Sequence, residues 1–256
     1  MTELLKVPGA YVENGVVYPE SDGQPISDNT EQFEWIITIE GGIADLFRDD
    51  PNVFVAGDLL WYPVQGRNDI RFAPDVMVVF GRPQGKRGSY LQWVEDNIPP
   101  QVVFEIISPS NTRPEMVRKR KAYEQYGVEE FYIYDPDRRK LEGWLRQNEQ
   151  LVQIPQMSGW VSPRLGIRFE MSSGQLEIFR PDGERFTTFL ETYAQKRLER
   201  EQRKLAQQRA DQAQFQADQE QERAEQAQAQ AEQERTAKER AWAKLRELGI
   251  DPETLL

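Results

Sequence analysis

Val102-Val103-Phe104-Glu105-Ile106-Ile107 is the stretch on which the reading of this 256-residue chain turns. A run this apolar reads as a strand covered on both faces, in the middle of a mixed sheet. The one carboxylate in it is costly there unless something compensates its charge. Strand side chains alternate, so Val103, Glu105 and Ile107 share one face. Upstream, Val76-Met77-Val78-Val79-Phe80 is a second such run, with Asp75 at its edge behind Pro74. Downstream, Thr112-Arg113-Pro114-Glu115 fits a capping box with proline in the first turn. From there Met116, Lys119, Tyr123 and Tyr126 fall at i, i+3, i+7 and i+10, on one helix face. Lys119 therefore lies on the stripe that packs on the sheet, while Arg118 and Lys121 point elsewhere. Two acids and one lysine from three segments are expected to converge at one side of the sheet. The fold class expected is α/β (α+β), a mixed β-sheet core flanked by helices and followed by a long C-terminal helix.

Two carboxylates can hold Mg²⁺ (or Mn²⁺), an ion that keeps several waters and takes further contacts from phosphate. The ion polarises a phosphate oxygen and lowers the pKa of a bound water. A lysine beside it can orient that water or neutralise charge that builds up in the transition state.

The motifs Pro74-Asp75, Phe104-Glu105-Ile106-Ile107-Ser108-Pro109-Ser110, Lys119 with Tyr123 four residues on, Gly127-Val128-Glu129-Glu130-Phe131-Tyr132 and Asp135-Pro136 follow one another in a fixed order. In that order and spacing the chain resembles the Uma-two family of restriction endonucleases, within the PD-(D/E)XK nuclease superfamily. The resemblance covers roughly residues 18–189. It implies a restriction-endonuclease-like core and a Mg- or Mn-dependent endonuclease that hydrolyses phosphodiester bonds of nucleic acid, DNA before RNA. It implies Asp75 and Glu105 as metal ligands, and Asp75, Glu105 and Lys119 as the catalytic set. The superfamily lysine expected two residues after the acid is Ile107 here; the resemblance moves it to Lys119 on the following helix. An acid from the first helix often completes such a site, which makes Glu40 a candidate ligand against the plainer reading of a half-exposed glutamate. Asp58 reads either as a supporting acid near the site or as the mark of a bulge or strand start. The alternative function is a catalytically inactive nuclease-fold interaction module that assembles through its tail. Glu105 and Lys119 as a purely structural buried ion pair is compatible with either.

The chain has no cysteine and no histidine. That excludes disulfides, thiol chemistry, a Ser-His-Asp triad and the usual zinc ligands. The net charge is −11. Residues 1–186 carry 20 basic and 29 acidic side chains, net −9, and residues 187–256 carry 12 and 14, net −2. The acidity thus lies where a nuclease must approach phosphate. Basic clusters at Arg82/Lys86/Arg87, at Arg113 and residues 118–121, and at residues 138–140 offer local patches, or else ordinary solvated faces. No stretch approaches the roughly 18 apolar residues of a membrane span, so the expectation is a cytoplasmic protein with no membrane partner.

The domain division expected is 1–186 and 187–256. Residues 1–30 read as irregular. A helix over 30–47 is capped by Asp28-Asn29-Thr30-Glu31, with Phe33, Ile36, Ile37, Ile43, Ala44 and Phe47 on one side and weakened by Gly41-Gly42. Residues 53–63 read as one strand containing Asp58. Residues 82–93 read as a long loop whose interleaved Arg82, Lys86, Arg87, Tyr90 and Trp93 suit a nucleic-acid surface, or equally a packed Trp and Tyr with exposed charges. Strands follow at 130–134, 140–144 and 151–152, then a hairpin of 166–170 and 175–179 turned by Ser172-Ser173-Gly174. From Thr187 glycine and proline vanish until Gly249. Roughly 62 helical residues at ~1.5 Å rise would span about 90 Å. Alanines in 4-3 spacing, from Ala206 to Ala241 and continued by Leu245 and Leu248, form a narrow heptad seam with a stutter near 205. The expected consequence is a weak homo-oligomer through the C-terminal helix, set against a solvated single helix held by i, i+4 pairs.

Overall fold

The computed structural model describes residues 4–171 and 174–247. Its contacts divide into two units, one ending at Thr192 and one beginning at Tyr193. In the first unit the strands are β1 (Leu5–Val7), β2 (Ala10–Glu13), β3 (Val16–Pro19), β4 (Val53–Gly57), β5 (Trp61–Tyr62), β6 (Val76–Phe80), β7 (Tyr90–Leu91), β8 (Val102–Ile106), β9 (Glu130–Asp135), β10 (Lys140–Gln147), β11 (Gln150–Gln153), β12 (Arg168–Glu170) and β13 (Glu177–Phe179). The helices are α1 (Thr30–Leu46), α2 (Arg113–Gln125) and α3 (Phe189–Glu247).

The main sheet has six strands in the order β11-β10-β9-β8-β6-β4. Only β8 and β9 run parallel; the other neighbours are antiparallel. All five residues of β8 are buried, as its apolar run requires of a strand covered on both sides. Val102, Phe104 and Ile106 meet Ile36, Ile39 and Ile43 of α1 with Phe169 and Ile178 of the β12–β13 hairpin. Val103 faces the opposite way, toward Met116 and Tyr123 of α2 with Trp61 and Phe131. Each such apolar side chain, fully buried, contributes about 1.5–3 kcal/mol. The mixed sheet flanked by helices and the long C-terminal helix are as expected.

Four local expectations change. Residues 5–19 are not irregular: β1, β2 and β3 form an antiparallel three-stranded sheet, whose Gly9 and Gly15 turns have the positive φ that glycine tolerates. On α1 the buried stripe is Gln32, Ile36, Ile39 and Ile43, while Phe33 is exposed. The helix is rotated from the expected setting because Gln32 reaches the sheet to donate to the Ile106 carbonyl at 3.0 Å. α1 also runs unbroken through Gly41-Gly42; a Cβ at Gly42 would strike the Phe186 ring, so the glycine admits close packing. The strand expected over 53–63 breaks at Asp58, whose φ of 47° is left-handed. The chain resumes only as the short β5.

α3 opens on a Thr188–Glu191 capping exchange and has no buried residue. Its surface carries i, i+4 pairs such as Gln207–Asp211, Gln214–Asp218 and Arg235–Glu239. Leu248, the Gly249 and Pro252 stop signals, and the Ser172-Ser173 turn lie outside the described residues. Among the described residues, no helix is long and apolar enough to cross a membrane.

Candidate active site

β6 pairs with β8 in the register Val76↔Phe104. Extended by one residue, that register sets Asp75 across from Glu105, on the face that Met77 and Val103 share. β8 outruns β6 here, so the Ile106 N–H needs another acceptor. Asp75 Oδ2 supplies it at 2.6 Å. This is how a carboxylate at a strand edge becomes fixed: it satisfies a backbone donor that the sheet leaves unpaired.

α2 closes the site from above. Thr112 and Glu115 form the reciprocal cap, and Met116 and Tyr123 are buried on the sheet side. Lys119, on the same stripe, donates to Glu105 Oε2 at 2.7 Å. Tyr123 donates to Glu105 Oε1 at 2.5 Å. The Glu105 side chain is 3% exposed and that of Lys119 24%, so the tyrosine holds the inner side of the carboxylate and the lysine the open side. The Tyr123 ring is stacked on Trp61, with centroids 6.1 Å apart, and meets Phe72 and Phe131 edge-on. Phe72 bridges to Trp61 in the segment leading to Asp75, so one aromatic cluster ties α2 to β5, to β9 and to the segment that leads into Asp75.

Charges are crowded at this place. Burial first, then the Glu105 charge, push the Asp75 carboxyl up to about 8 against the opposing pull of the Ile106 N–H and Lys119. Burial opposes the Lys119 ammonium, but the Glu105 charge and hydrogen bond outweigh it and hold the amine above its ordinary value. Burial beside Glu105 keeps the Tyr123 hydroxyl protonated far into alkali. Asp58 belongs to the same field: burial, then Asp22, push it to about 6, with Lys119 pulling it down and Glu105 pushing it up. Its N–H bonds the carbonyls of Pro74 and Asp75 at 3.2 and 3.3 Å. Glu40 belongs to α1, which packs on the other face of the sheet, and burial alone raises its carboxyl. Among the described residues no group of three or more Asp, Glu, His or Cys is placed to hold a metal ion.

A family profile described as "Putative restriction endonuclease", Uma2, matches residues 8–172 of this chain. The chain belongs to the Uma2 family. No curated protein matches it. Among solved structures, one titled a putative nuclease from Anabaena variabilis is similar at 15% identity, over 60% of this chain and 80% of that one, with a TM-score of 0.39.

Within this Uma2 chain, the structure brings Asp75, Glu105 and Lys119 together. The motif spacing had also placed Tyr123 on the inward stripe, but only as packing; the signal missed was a hydroxyl one helical turn beyond Lys119, facing a buried acid. The long loop over 82–93 is not a free basic surface. Arg82 pairs with Glu95 at 2.9 Å and with Asp96, and Arg87 pairs with Glu95 at 2.6 Å while lying over the Phe54 ring. Tyr90 is buried with its hydroxyl on the Ile98 carbonyl, and the Trp93 indole donates to Glu13. The arginines are consumed by internal acids, so the surface expected there is not available.

Proposed function

We propose that this protein is a divalent-metal-dependent endonuclease that hydrolyses phosphodiester bonds of nucleic acid, DNA before RNA, with Asp75 and Glu105 holding Mg²⁺ or Mn²⁺. The observation that carries this reading is Asp75 facing Glu105 across adjacent strands with Lys119 2.7 Å from Glu105. The donor set fits the ion. Both residues offer hard carboxylate oxygens, and magnesium needs few protein ligands because it keeps its waters. Burial, then the Glu105 charge, push the Asp75 carboxyl up to about 8, and a divalent cation there would favour its charged form. When bound, the ion polarises a phosphate oxygen and makes a bound water more acidic.

The protein's own groups do the rest. The Ile106 N–H fixes Asp75, and Tyr123 fixes Glu105 from the core side. Lys119, on the open side, presents its amine to the phosphate and offsets negative charge as the water adds and the ester oxygen departs. The family description, restriction endonuclease, supports DNA before RNA in this reading. The tail adds a weak homo-oligomer through the alanine seam of α3, a coiled coil of low affinity because alanine buries little area.

One observation favours the inactive interaction module instead. Both Glu105 oxygens already have protein donors, and such a network is complete without a metal. Calorimetric titration with Mg²⁺ and Mn²⁺, beside cleavage assays on plasmid and single-stranded substrates, separates the two. The nuclease reading expects saturable binding that Glu105→Gln weakens, with cleavage abolished and the melting transition retained. Lys119→Ala should still bind metal while the chemical step slows by about 10²–10³-fold. No metal binding by the unaltered protein, or unchanged affinity in Glu105→Gln, removes the assignment.

A further inference from the structure

Residues 1–186 carry 20 basic against 29 acidic side chains, so a phosphate backbone can be received only at a local exception. Most of the 20 are already engaged. Arg82 and Arg87 converge on Glu95, Arg164 grips Glu129, and Arg180 holds Asp45. Arg146 donates to the carbonyls of Val128 and Glu124 at the end of α2. α2 itself is different. Arg113, Arg118 and Lys121 are exposed, and among the described residues none of them forms an ion pair. Arg120 is half-buried with its guanidinium 5.8 Å from the centre of the Trp144 ring. Elsewhere in this unit, among the described residues, Arg71, Lys86 and Arg139 form no ion pair and stand in three separate connections, with Arg71 donating to the Asn68 carbonyl at 3.0 Å.

Helix geometry relates these residues to the cleft. At ~100° per residue, Arg118 and Arg120 flank Lys119 on its two sides, and Arg113 and Lys121 lie farther around the outer face. The helix that sends a lysine to Glu105 therefore carries Arg113, Arg118 and Lys121 exposed, and among the described residues none of these forms an ion pair.

We propose that the outer face of α2 receives the phosphate backbone of a nucleic acid, with Arg113, Arg118, Arg120 and Lys121 holding it while Lys119 serves the cleft. This rests on the nuclease reading above. Exposed cations of this kind bind by releasing condensed counterions, which makes the affinity steeply salt-dependent. The sequence alone could not single out α2, because three basic clusters stood equal there; internal pairing disqualifies Arg82 and Arg87, and pairs Arg138 and Lys140 with Asp135 and Glu142.

The test uses the full chain in EDTA, so that nothing is cut, and a fluorescent duplex of about 30 base pairs, titrated between about 50 and 200 mM salt. The triple variant Arg113→Gln, Arg118→Gln, Lys121→Gln should bind about tenfold or more weakly. Its log-affinity against log-salt slope should be shallower by about 2–3, at ~0.9 for each phosphate no longer neutralised. Its melting transition should remain cooperative. The control pair Lys86→Gln, Arg139→Gln should bind as the unaltered protein does. Equal affinity and slope in the triple variant overturn the surface, as does an equal loss in the control pair, which would mean diffuse attraction. If the unaltered protein binds no nucleic acid, the nuclease reading falls and the surface with it; if it binds and the triple variant is unaffected, only the surface falls.

Discussion

The Asp75 carboxyl has one oxygen on the Ile106 N–H and is pushed up to about 8 by burial and the Glu105 charge. An unfolded aspartate titrates near 3.9. Between roughly pH 4 and 8 the folded state thus keeps a proton that the unfolded state has released, so stability falls as pH rises through that window. Thermal melts in EDTA should show this fall, Asp75→Asn should flatten it, and Mg²⁺ should restore stability at pH 8 in the unaltered protein only. A flat profile, or equal Mg²⁺ stabilisation of Asp75→Asn, contradicts the site. Tyr123→Phe keeps the ring against Trp61 but removes the donor to Glu105 Oε1. A hydrogen bond to a charged group is worth about 1.5–3 kcal/mol, so the denaturation midpoint should drop. Mn²⁺ affinity measured by calorimetry should drop with it if the hydroxyl sets the carboxylate's position. A lower midpoint with unchanged Mn²⁺ affinity would assign Tyr123 to packing alone.

The elements differ in how openly their sequences declare them. β8 was legible from its apolar run and α2 from its cap and stripe, because both signals are local. α1 was legible as a helix, but its rotation was not. The Gln32 bond to the Ile106 carbonyl turns it, and that partner lies 74 residues away. Gly42 carries the same lesson in a testable form. Helix propensity alone expects Gly42→Ala to stabilise by about 1 kcal/mol. The Phe186 ring stands where the new methyl would go, and overpacking costs about 1–3 kcal/mol. The substitution should therefore lower the denaturant midpoint; a raised midpoint would mean that the ring moves aside without cost.

At the scale of the molecule, the buried core residues among those described all precede α3, and α3 itself buries none. A chain ending at Thr192 should thus unfold cooperatively and stay in solution. Full-length protein should sediment with more chains per particle than the shortened chain, with the difference fading on dilution. One chain per particle for both at all concentrations would leave α3 a solvated helix or the arm for another partner. Aggregation of the shortened chain would show that the first unit needs the helix.

By itself the sequence determined the sheet-forming runs, the capped helix, the inward setting of Lys119 and the change of character near Thr187. These depend on periodicity and on neighbours within a few residues, which a linear string displays. The tertiary structure alone decided the rest. It set Asp75 across from Glu105 through a register between strands about 30 residues apart, and it turned the Tyr123 hydroxyl from packing into a clamp. It brought Asp58 into the field of the site by breaking a strand at a left-handed residue. It also ranked the basic clusters, since whether an arginine is free depends on which acids the fold carries to it, and charge neutralisation over several ångströms leaves no trace in the order of residues.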